Sequence, residues 1–142
     1  VSSMSRTARN FSIRAHFGND RHPTMSLATL YWAAMKGSPF VSGIEPTDGV
    51  GGYGRATTPN DSSLWGTIAA DAIQVSLFST IVWPAATGLW SITDPLDYWA
   101  IFDAPSGGTL WYAGPLSNPF VVAQSGDQPR IPAGGMTLTQ AG

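Results

Sequence analysis

The chain has 142 residues, 43% of them hydrophobic and only 11% charged, with a net charge of −2 and no cysteine. One domain of this length can bury a core unaided, and the missing cysteine excludes a disulfide framework, a thiolate zinc site and a cysteine nucleophile. Globular domains carry about 25% charged residues, so a surface this poor in charge favours partner contact over a merely neutral Ser/Thr/Gly-rich exterior.

The opening Val-Ser-Ser-Met-Ser-Arg precedes no apolar stretch, so no secretory signal is expected. Residues 1–25 read as an extended arm. Arg6, Arg9, Arg14 and Arg21 stand against Asp20 alone, a net +3. Lys36, Arg55 and Arg130 stand against the remaining eight acids, a net −5 for the body. Phe11, Ile13 and Phe17 give the arm an alternation suited to lying as a strand on a neighbour. Ser26 to Gly37 is the best helix candidate: Ser26 can cap it, Leu27, Leu30, Tyr31 and Ala34 share a face, and Gly37 can end it. A strand through Leu30–Trp32 is the alternative.

From Ser38 onward Gly and Pro punctuate short apolar runs. The runs are Pro39–Ile44, Gly52–Thr57, Ile73–Phe78, Leu89–Thr93, Tyr98–Asp103, Thr109–Gly114, Phe120–Ala123 and Met136–Thr139. A spacing of about 10 residues suits a sandwich or barrel. Gly107-Gly108 between aromatic runs signals a hairpin that Asp103 can cap. No apolar run approaches the roughly 18 residues of a membrane helix. The predicted architecture is all-β: one antiparallel, jelly-roll-like β-sandwich over 26–142, with one short N-terminal helix and the arm.

Catalytic constellations are weak. His16 and His22 flank Asp20 in the arm, but the spacing matches no metal motif. Glu45/Asp48, Asp94/Asp97 and Asp103 are better explained as turn caps than as a glycosidase pair. Asp94 and Asp97 are too few for a tight calcium site. No catalytic, cofactor or metal residue is assigned, and no enzyme is expected. The arm arginines are too sparse, over an acidic body, for nucleic acid. The aromatics matter more. Core packing is the plain reading for about half of them, by inspection of their strand positions. Tyr53, Trp65, Trp111 and Tyr112 are the candidates for subunit contacts or sugar stacking. Trp65, in a Gly/Ser-rich stretch, is expected to be the most exposed. Trp111 and Tyr112 should face opposite sides of one strand.

The second half carries an ordered series: Trp83-Pro84-Ala85-Ala86-Thr87, Trp99 to Ala104, Ser106-Gly107-Gly108-Thr109, Gly126-Asp127-Gln128-Pro129, and Ile131 to Leu138. Pro46-Thr47-Asp48 and Gly52-Tyr53-Gly54-Arg55 precede it in the same order. The series resembles a family of small tailed-phage virion proteins often labelled tail-fibre-like. It covers roughly residues 27–139. Trp83 stands where that family has Phe, and Trp99-Ala100-Ile101 replaces a small-residue start. The resemblance implies a particle component. The expected role is a capsid decoration or cement protein on the head exterior, a homotrimer bound to the major capsid protein and to its own copies. Arg6, Arg9, Phe11, Ile13, Arg14, Phe17 and Arg21 would make the arm contacts. The alternative is a tail-fibre module that binds host glycan through its aromatics.

Overall fold

The computed structural model describes residues 3–4, 17–18, 27–66, 68 and 74–139. Nine strands appear among them: β1 (Ser3–Met4), β2 (Thr29–Met35), β3 (Ala56–Pro59), β4 (Gln74–Ser76), β5 (Ile81–Val82), β6 (Leu96–Phe102), β7 (Leu110–Phe120), β8 (Arg130–Ile131) and β9 (Thr137–Thr139). The α-helix α1 covers Ser62–Trp65. All strand pairs are antiparallel. They form a five-stranded sheet in the order β1-β7-β6-β2-β3 and two ribbons, β4-β9 and β5-β8. The fold is all-β and sandwich-like, as the spacing of the runs predicts.

The helix expected over Ser26–Gly37 is instead β2. Its Thr-Leu-Tyr-Trp-Ala-Ala-Met sequence is apolar on both faces, which suits a strand flanked on both sides. Trp32 pairs with Ala56 of β3 and with Ile101 of β6. Tertiary pairing thus overrides the helical spacing of Leu27, Leu30 and Ala34. The short helix lies elsewhere, at α1, where Asp61 Oδ1 accepts from Ser63 N at 2.9 Å as an N-cap.

One sheet face presents Leu30, Trp32, Ala34, Ala56, Trp99, Ile101 and Tyr112 to the main core. The ribbons cover it with Ile81, Ile131, Leu77 and Leu138, joined by Trp83. Trp83 is fully buried, and its Nε1 donates to the Trp32 carbonyl at 2.9 Å. The other face holds a smaller cluster of Ala33, Met35, Ala100 and Ala113, with Tyr98, Phe102 and Leu110 packed against it.

Between Ile101 and Phe102 the register slips: Ile101 faces Tyr112, while Phe102 faces Leu110. Trp111 is the extra residue of a β-bulge. Leu110 joins the outer cluster, and both Trp111 and Tyr112 pack on the main core. The expectation that Trp111 and Tyr112 face opposite sides is thereby corrected, because a bulge breaks the alternation on which it rests.

Candidate interaction surface

The arm candidates divide. Arg6, Arg9, Phe11, Ile13, Arg14 and Arg21 lie outside the described residues, as do His16, Asp20 and His22. Phe17, expected to reach a neighbouring subunit, packs instead into the core of its own chain. It is 1% exposed, with its ring centroid 4.9 Å from that of Trp65 and 4.8 Å from that of Tyr112. The adjoining Gly18 N donates to Asn60 Oδ1 at 2.9 Å. Asn60 is itself buried, and it also takes Trp65 Nε1 and gives its Nδ2 to the Leu27 carbonyl. One amide therefore fastens three separate stretches of chain to each other, as a buried polar group must be satisfied.

The aromatic candidates fail as a platform for the same reason. Tyr53, Trp65 and Tyr112 are all buried, and stacking on a sugar needs an accessible ring face. Trp65 is turned inward by the capped turn of α1 and by its bond to Asn60. Trp111 is partly buried at the core edge.

A charged network lies beneath this surface. Arg55 has a side chain only 4% exposed. Its Nε and Nη2 donate to Glu45 Oε2 and Oε1 at 2.9 and 2.8 Å, a bidentate pair. Its Nη1 donates to the carbonyls of Ala104 and Gly107 at 2.7 and 2.8 Å, and its guanidinium lies 3.8 Å from the Phe102 ring centroid. Tyr53 Oη donates to Glu45 Oε2 at 2.5 Å. Burial pushes the Tyr53 pKa far above its ordinary value, and the Glu45 carboxylate beside it adds to the rise. Burial raises that of Tyr112 as well. The network fixes the Glu45 loop to the hairpin at 104–108.

Most of the other carboxylates serve the backbone. Asp103 Oδ1 accepts from Thr109 N at 2.8 Å, the cap expected for the Gly107-Gly108 hairpin. Asp97 accepts from Gly37 N, and Asp127 from the amides of Ala123 and Gln124. Asp94 pairs with Lys36 at 2.5 Å. Among the described residues no three His, Cys, Asp or Glu side chains gather as a metal site. No helix among them is long and apolar enough to cross a membrane.

Apolar side chains are exposed at several places, Phe78, Val82 and Val121 among them, and five others gather at one end of the molecule. Phe40, Val41, Ile44, Val50 and Leu89 are exposed, Val41 to 85%. They sit in two loops, 37–52 and 87–97. Thr47 N donates to Ser91 Oγ, and Thr87 N to the Gly51 carbonyl. Gly37 N reaches Asp97, and Lys36 reaches Asp94. Gly51 adopts φ +61°, and a Cβ there would lie 2.3 Å from the Leu89 carbonyl oxygen, so the loops close only around a glycine. The tip is rigid too: the Ser38 carbonyl accepts from Val41, Ser42 and Gly43 at 3.1, 3.1 and 2.8 Å. The runs Pro39–Ile44 and Leu89–Thr93, expected as strands, are these loops, apart from a bridge between Lys36 and Ile44. Their signal in the sequence is apolar residues in ones and twos among Gly, Ser and Pro, where a loop must keep its backbone near water.

This end of the molecule is therefore preorganised, apolar and acid-rimmed. No curated protein matches the chain. Residues 3–139 do match the family model of the podophage GP4 fiber I protein gp80, which spans the ordered series from Pro46 to Leu138 and the strands it builds, so the chain belongs to that family of phage virion fibre proteins.

Proposed function

We propose that the chain is a building block of a podophage tail fibre that works by docking on other protein subunits, with no catalytic role. The match to a fibre family over residues 3–139 carries this reading, and it supports the tail more than a cement on the outer shell. The structure is compatible: Asp94, Asp97, Asp103, Asp127 and Glu45 bond backbone amides or pair with cations, and a rigid loop end offers Phe40, Val41 and Ile44 outward. Its partners in this reading are tail subunits and its own copies. Host glycan, if bound, needs a surface other than Tyr53, Trp65 or Tyr112, which are buried.

The test is copy number and position on purified particles, by gel densitometry against the major shell subunit and by gold labelling of the native chain. A few copies per particle, with label at the tail, are expected. A number near that of the shell subunits, with label over the head, would overturn the fibre reading in favour of a cement.

A further inference from the structure

We propose that the loop end and the amino-terminal segment are the two halves of one contact between successive copies of this chain. Residues 5–16 of one copy dock on the loop end (37–52 and 87–97) of the next.

The segment is held at both ends to one place on its own body. Met4 pairs with Tyr112 through β1, and the Phe17 ring packs against the Tyr112 ring. Residues 5–16 join these two attachments. They carry Arg6, Arg9 and Arg14 with no acid, and Phe11 and Ile13 between the cations. The loop end is the complement. It exposes Phe40, Val41, Ile44, Val50 and Leu89, and Glu45, Asp48, Asp94 and Asp97 outnumber Lys36 and Arg55 around it. Apolar contact supplies affinity, and opposite charge supplies register.

Distance favours a second copy over the same one. A segment of this length that leaves and returns at one point reaches about 20 Å. Tyr112 stands opposite Ile101, which stands opposite Trp32, so β1 and β2 are separated by β7 and β6. That is about 14 Å across the sheet and about 10 Å along it, or about 17 Å to the point where the loop begins, so on its own copy only the tip of a fully extended segment reaches the near edge of the loop end. The two surfaces also differ, so the contact is heterologous: each copy gives one half and receives the other, and copies add head to tail. Copies set side by side on a tail or on a shell would use the same surfaces, so the inference does not rest on the fibre reading.

The experiment uses the purified full chain and sedimentation velocity over a range of concentration and salt. One variant is Val41→Asp, which alters an exposed loop tip. The other is the triple Arg6→Glu, Arg9→Glu, Arg14→Glu. Thermal melts check that both fold. The native chain should associate, less so as salt rises. Each variant alone should associate roughly tenfold more weakly. An equimolar mixture should regain pairs and stop there, because only one intact arm–end contact can form per pair. A native chain that stays monomeric at every concentration overturns the proposal. So does an arm variant that associates like the native chain, which would mean that loop ends pack on each other. Failure of the mixture to form pairs overturns it too.

Discussion

The interior and the loop end spend their apolar residues in opposite ways. Inside, Trp32, Trp83, Trp90, Trp99 and Tyr112 are fully buried between the sheet and the ribbons. Several have polar handles that are bonded, as Trp83 is to Trp32 and Trp32 Nε1 to Thr58 Oγ1. At the loop end the apolar residues are smaller, exposed, and carried on turns that Ser38 and Gly51 make stiff. The interior is held by area removed from water. The loop end is held by backbone hydrogen bonds, which leaves its side chains free for another surface. Exposure of an apolar residue is thus compatible with rigidity, provided that the backbone supplies the order.

Substitutions can break that contrast, starting with the largest effect. Trp83→Ala empties a buried site shared with Phe120, whose ring centroid is 5.9 Å away, and removes the bond to Trp32. It should cost about 3–5 kcal/mol, read as a lowered urea midpoint. Arg55→Met leaves the Glu45 carboxylate without its bidentate partner and the Ala104 and Gly107 carbonyls without a donor. About 3 kcal/mol should be lost, again in urea, with the hairpin amides at 104–108 exchanging faster than the rest of the sheet.

A smaller effect is set by pH. Burial and Glu45 raise the Tyr53 pKa when the chain is folded. Above about pH 10 the unfolded chain releases this proton while the folded chain keeps it. The folded state then binds more protons, so stability is complete below about pH 10 and falls as pH climbs beyond it. Tyr53→Phe should lessen the alkaline fall in melting temperature, leaving the part that Tyr112, also raised by burial, contributes. A fall as steep as the native one would mean that Tyr53 does not set it. The smallest effect on stability belongs to Val41→Asp, expected within about 0.5 kcal/mol by the same urea melts. A larger loss there would show that the loop tip is part of the core after all.

The hairpin between β6 and β7 was legible, because Gly107-Gly108 and Asp103 sit next to each other in the sequence and define the turn locally. The β2 strand was not. Leu30, Trp32 and Ala34 alternate, yet Leu27, Leu30, Tyr31 and Ala34 also satisfy a helical face, and only the pairing of Trp32 with Ala56 and Ile101 decides. Trp65 misled in a different way. Its Gly/Ser-rich neighbours suggest an open loop, whereas Asp61 and Asn60, a few positions upstream, turn it inward. The aliphatic loop residues follow no period, and a search for aromatic platforms overlooks them.

The extra residue at Trp111 separates two kinds of inherited change. A substitution there alters one contact at the edge of the core. A deletion of Trp111 itself would leave Leu110 opposite Phe102 and Tyr112 opposite Ile101, each on its present side, whereas a residue lost or gained between Tyr112 and Pro115 would shift the regular pairing by one and invert the side chains beyond it. Related chains should therefore keep the length of Tyr112–Pro115, which pairs regularly with β6, and gain or lose residues at Trp111 or at turns such as 104–108 instead.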